Sequence, residues 1–209
     1  MLLAKTIFGK ASLAAVLAAV LALGGVAILG QTGPSSPLLE TGQILQSGRQ
    51  VAFRIRNLPV SSFPELPDSI ADALNRRGCV VPQSYAAHHP ENVVRGSFER
   101  AGSVDWAVLC SAEGRVSLLV FFAGGAVGEP TVLATFAKAE RLQPHDLTGE
   151  LGFNWGIDPA TPRRVHEAQA GMAHRPASPD HDALVDSTLD GKTIYRLFRN
   201  GGWEVIDTE

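Results

Sequence analysis

The sequence predicts an α+β domain, mainly antiparallel β-sheet with one packed helix, preceded by an N-terminal apolar helix. Three observations carry this reading. From Asn92 onward, segments rich in Val, Leu and Phe alternate with turn residues. Residues 66–78, LPDSIADALNRRG, hold helix start and stop signals. Ala11 to Gly30 is an uncharged apolar run that follows Lys5 and Lys10.

That run is about 20 residues, long enough to cross a hydrocarbon core as a helix. The lysines lie on its N-terminal side and the next basic residue is Arg49, so the charge bias leaves the remainder outside the cytoplasm. A cleavable signal would have to use Ile28 and Gly30 ahead of Gln31, because no Ala-x-Ala is present. No cysteine near that junction offers a lipid anchor. Two readings of residues 1–30 stay open: a signal-anchor helix with the C-terminal domain outside the cytoplasm, or a signal peptide with a secreted or periplasmic product. In the first, the membrane is a partner through residues 11–30.

Residues 31–49 mix Gly, Pro, Ser and Gln and are expected to form a flexible linker. Residues 50–209 form the extracytoplasmic domain. Val51, Phe53 and Ile55 alternate with Ala52, Arg54 and Arg56, which predicts a first strand. In the helix that follows, Pro67 and Asp68 suit the start, while Ile70, Ala73 and Leu74 share a face. Arg76 and Arg77 suit the end, and Gly78 can close it in the left-handed conformation. NVVRGSF, VDWAVLCS and RVSLLVFF read as strands. The last two are apolar on both faces and joined by Ala112-Glu113-Gly114, so they are central and hairpin-connected. PTVLATFA suits a strand or a short helix. Residues 139–192 are punctuated by five prolines and show no clear periodicity. Asn200-Gly201-Gly202, between KTIYRLF and WEVID, predicts a closing hairpin.

The chain of 209 residues carries 18 basic and 21 acidic side chains. Beyond the two early lysines, 16 basic residues face 21 acidic ones with no basic cluster, which argues against nucleic acid as a partner. Two cysteines in an exported chain predict a disulfide. Cys79 follows the helix's terminal Gly78. Cys110 lies near the end of a central strand, on the same side as Trp106 and Val108, so a bridge would pin the helix exit to the sheet. There is no C-x-x-C to suggest redox chemistry.

The segment Gly96–Val108, GSFERAGSVDWAV, resembles the FG-GAP/VCBS repeat, G-x-F-x-x-x-G-x-x-D-hydrophobic-A-V. The resemblance implies a strand–loop–strand whose loop holds calcium in the family. Of the corresponding positions Ser97, Glu99, Ala101 and Asp105, only Glu99 and Asp105 carry carboxylates, whereas calcium takes 6–8 oxygens. Gly96, Phe98, Gly102 and Asp105 keep the scaffold, with Asp105 expected to hold the turn. More broadly, GCVVPQ, NVVRGSFERAGSVDWAVLCS and the late Gly-Gly-Trp resemble a group of uncharacterised exported bacterial proteins, over roughly residues 64–206. This resemblance implies a compartment and no activity.

Candidate chemistry is sparse. His88 and His89 are expected in a polar loop. Asp180, His181, Asp182 and Asp186, with His174 or the pair His145-Asp146, form the densest set of possible metal ligands, without an H-E-x-x-H motif. A solvated acidic turn is the alternative there. His166-Glu167 is expected on a surface strand or helix end. No serine sits in a G-x-S-x-G elbow, and the glycine pairs form no phosphate loop. Tyr85 and Trp155 lie near turns, as core aromatics or as a ledge for sugar or peptide. The sequence therefore points to an exported or membrane-anchored, non-catalytic envelope domain that binds an envelope protein or glycan and uses no cofactor. The rival is a metal-assisted hydrolase using His174, Asp180, His181 and Asp182. An immunity or inhibitor protein for an envelope enzyme is a third reading.

Overall fold

The computed structural model describes residues 38–189, 191, 193–206 and 208. The N-terminal apolar segment and residues 31–37 lie outside the described residues, and no helix among those described is long and apolar enough to cross a membrane. The strands are β1 (Leu38–Gln46), β2 (Arg49–Pro59), β3 (Val80–Gln83), β4 (Val93–Gly96), β5 (Asp105–Ala112), β6 (Arg115–Phe121), β7 (Thr131–Ala137), β8 (Leu142–Pro144), β9 (Leu151–Phe153), β10 (Gly156–Ala160), β11 (Ala183–Ser187), β12 (Ile194–Arg199) and β13 (Gly202–Ile206). The helices are α1 (Asp68–Arg76) and α2 (Pro162–Ala168). The domain is α+β and mainly β.

Two sheets result. The larger has nine strands in the order β7-β6-β5-β3-β2-β9-β8, with β1 alongside β2 and β4 alongside β5. All its pairs are antiparallel except β2 with β9. The smaller is the antiparallel series β10-β11-β12-β13. Alternate residues of one strand serve two cores. On β5, Trp106, Val108 and Cys110 join Ile70, Ala73 and Leu74 of α1, while Ala107 and Leu109 join Phe153, Trp155, Ile157 and Leu184. On β11, Leu184 faces that second core, whereas Ala183 and Val185 pack with Val165 of α2, Tyr195 and Leu197. The layers thus run helix, sheet, sheet, helix. Burial on both sides is why β5 and β6 read as continuous apolar runs.

Helix α1 ends as its sequence dictates. Gly78 adopts φ +67°, Cys79 N–H donates to Leu74 O at 3.0 Å and Gly78 N–H to Asn75 O at 3.0 Å. This is a Schellman ending, which turns Cys79 back onto the apolar face beside Leu74. There its sulfur is bonded to that of Cys110, with Cα atoms 5.1 Å apart. The bridge ties the helix exit to a central strand.

Two expectations are corrected and one open alternative is resolved. The segment read as a flexible linker contains β1, which pairs with β2 from Leu38↔Asn57 to Gln46↔Arg49. Its doublets Leu38-Leu39 and Ile44-Leu45 hide the two-residue period. The Ser47-Gly48 turn, with φ of 50° and 79°, folds it onto β2 all the same. Residues 139–192 contain β8 to β11 and a second helix, where one helix was expected. Thr161 caps α2 by accepting from Arg164 N–H at 3.3 Å, and Pro162 takes its first position. His166 and Glu167 belong to that helix. The ambiguous PTVLATFA is strand β7, paired to β6.

Candidate functional site

Arg54 and Arg56 of β2 point to one face because Ile55 between them, 1% exposed, points to the core. Opposite them on β1 stand Thr41 and Leu39, in the pairs Thr41↔Arg54 and Leu39↔Arg56. From the end of β3 the chain continues through Ser84 to Tyr85, whose N–H donates to Phe153 O at 2.9 Å. Tyr85 sits directly against β9: a Cβ on Gly152 would lie 2.6 Å from Tyr85 Cβ, so only glycine fits there. His145 closes the rim, its ring centroid 5.3 Å from that of Tyr85. Together Leu39, Arg54, Arg56, Ser84, Tyr85 and His145 line a cavity of about 200 Å³.

The electrostatics are mixed but cationic at the centre. Arg54 lies 3.3 Å from Glu150 Oε1 and remains largely exposed. The Arg56 guanidinium donates to Ala87 O at 2.9 Å. His145 Nδ1 is 2.8 Å from Glu150 O. A carbonyl only accepts, so that nitrogen carries the proton and Nε2 of the neutral ring is left as an acceptor. Asp146 Oδ2 lies 4.0 Å from His145 Nε2, and hydrogen bonds from Thr148 hold the Asp146 carboxyl below the usual carboxylate range. Two guanidiniums beside an aromatic ring can take a carboxylate or another oxyanion in paired hydrogen bonds. His145, Asp146 and Glu150 are also the group of three, among the described residues, whose ligand atoms fall within 4.8 Å of one another. Arg54 already engages the Glu150 carboxylate, and its positive charge opposes a cation there.

The structure disperses the other candidates. Asp105 is fully buried and accepts from Glu99 N–H at 2.7 Å, Ala123 N–H at 2.8 Å and the Ser103 hydroxyl. Glu99 turns instead to Arg100, 2.7 Å away. Of the hydrolase set, His181 has Nδ1 2.6 Å from Asp180 and Nε2 2.9 Å from Phe198 O, which leaves neither ring nitrogen open. The bond to His181 holds the Asp180 carboxyl below its usual range. Asp182 accepts from Ser97 N–H at 3.0 Å. Among the described residues, neither His174 nor these side chains converge with two further ligands within 4.8 Å. His88 and His89 are exposed.

Trp155 is no ledge: it is fully buried, its indole donating to Asp186. Asp186 also takes Arg196 at 2.7 and 3.0 Å. The Arg141 guanidinium lies 3.6 Å from the Phe136 ring centroid and 4.5 Å from that of Trp155, and burial there lowers its pKa. Tyr85 lines the cavity described above. Arg54 and Arg56 went unremarked as site residues, although two arginines two apart on the polar face of a strand were a usable signal.

The fold and site define an α+β two-sheet sandwich, stapled by one disulfide, with an arginine-lined cavity on the outer face of its first hairpin. Comparison of the chain with protein-family models, with curated proteins and with solved structures returns no match.

Proposed function

We propose that this chain is an extracytoplasmic, non-catalytic binding domain, held at the cell envelope by residues 11–30 or released if they are cleaved. Its cavity takes a carboxylate-bearing group of an envelope protein or glycan. The observation that carries the reading is the placement of Arg54 and Arg56 side by side with Tyr85 in one cavity. The compartment is supported by the apolar run behind Lys5 and Lys10 and by the Cys79–Cys110 bridge, a bond that persists in oxidising surroundings.

Arginine side-chain NMR of the full chain in mild detergent tests it, with citrate as the carboxylate probe and glycerol as the neutral control. Citrate should shift the Nε–Hε signals of Arg54 and Arg56 in a saturable way, and Arg54→Ala with Arg56→Ala should abolish citrate binding in titration calorimetry. Signals that stay in place, or that move equally with glycerol, sink the reading.

A further inference from the structure

Strand β1 has a second property that the cavity does not use. Among the described residues it pairs with β2 alone, so its far edge presents unpaired backbone groups. Natural edge strands are protected by Lys, Pro, bulges or short length. Strand β1 runs nine residues with an uninterrupted register and contains neither Lys nor Pro. Its one charge, Glu40, is already held by Lys138 at 2.8 Å and Asn57 at 3.0 Å. Leu39 and Leu45 are 62% and 69% exposed.

We propose that two copies of this chain pair antiparallel through β1, about a two-fold axis at Gly42. The register follows from the hairpin. Gln46↔Arg49 closes the two-residue Ser47-Gly48 turn, so Gln46, Ile44, Gly42, Glu40 and Leu38 direct their N–H and C=O groups to β2. Leu39, Thr41, Gln43 and Leu45 direct theirs outward. A symmetric partner strand must therefore align these four residues with their own copies. Centring on Gly42 pairs Leu39 with Leu45 and Thr41 with Gln43, twice over, and satisfies all four donors and all four acceptors on each copy. Shifting the centre by one step to Thr41 or Gln43 leaves one of the four residues without its counterpart. The same register sets Leu39 against Leu45, the two most exposed leucines of the strand, opposes no like charges, and places glycine against glycine on the axis. A surface that complements itself under a two-fold is what an isologous dimer requires.

The test uses the full chain in mild detergent and sedimentation equilibrium. Wild type should sediment as a dimer. Thr41→Lys with Gln43→Lys sets lysine against lysine across the axis and should be monomeric, as should Thr41→Glu with Gln43→Glu. An equimolar mixture of the two should restore the dimer. A monomeric wild type, a double variant that still dimerises, or a mixture that stays monomeric overturns the proposal. Hydrogen exchange on the wild type gives a second reading independent of the variants. The amides of Leu39, Thr41, Gln43 and Leu45 should slow together as concentration rises, and exchange unaffected by concentration overturns it.

Discussion

The indole of Trp155 donates its N–H to the carboxylate of Asp186, linking the segment after β9 to the second strand of the smaller sheet. Both side chains are buried, and Arg196 balances the carboxylate from the neighbouring strand β12. This ionic group therefore joins the two sheets beside the Arg141 guanidinium, which stacks on the same indole.

Removing half of a buried ion pair leaves the other charge uncompensated. Asp186→Asn is expected to destabilise the domain by about 3 kcal/mol in urea denaturation. Combining it with Arg196→Met should recover part of that loss, since the stranded guanidinium is then gone. Equal losses in the single and double variants would refute this account.

Cys79 and Cys110 close a loop across 31 positions. In the chain-entropy model, replacing both with alanine should cost about 3–4 kcal/mol while the native circular dichroism is kept. Reductant should lower the wild-type melting temperature to that of the double variant. Thiol labelling of unreduced protein from intact cells should find neither sulfur reactive, and two reactive thiols would contradict both the bridge and the proposed compartment.

Glu150 competes for Arg54 at the rim of the cavity. Glu150→Gln should tighten citrate binding several-fold by freeing that guanidinium, by analogy with the modest worth of an exposed ion pair. Gly152→Ala should act in the opposite sense. Its Cβ would collide with Tyr85, costing about 1–3 kcal/mol of stability and displacing the ring from the cavity wall. Titration calorimetry and melting curves read the two effects separately.

The hydrogen bond from His181 holds the Asp180 carboxyl below its usual range. A depressed carboxylate pKa adds stability above the unfolded value, and that contribution is lost as the pH falls through the folded one. In His181→Asn the Asp180 midpoint should therefore move up toward an ordinary carboxylate, as followed by carboxyl NMR. An unmoved midpoint would show that the pair does not form in solution.

Much of the fold was legible because its signals are local. The helix 68–76 carries its own start, apolar face and glycine stop. The Asn200-Gly201 turn adopts the positive φ that only such residues accept readily, and joins β12 to β13 as read. The double-sided apolar pattern of β5 and β6 announced strands with a core on either face. Strand β1 escaped because its doublets break the two-residue period, and its conformation is imposed by nine partners on β2. Strands β8 to β10 escaped because three to five residues are too few to show a period, and prolines within β8 and β10 read as breaks.

The candidate site divides along the same line. By itself the sequence determined that Arg54 and Arg56 share the polar face of a strand, since alternation is a property of the extended backbone. It also determined that Cys79 leaves a helix at a glycine, and that Cys110 lies on one side of its strand. Only the tertiary structure decided that Tyr85 and His145 meet those arginines, and that Asp186 is consumed by Trp155 and Arg196 rather than joining a metal. Those outcomes depend on which side chains are brought within a few ångströms by strands far apart in the chain, and no local pattern encodes that distance.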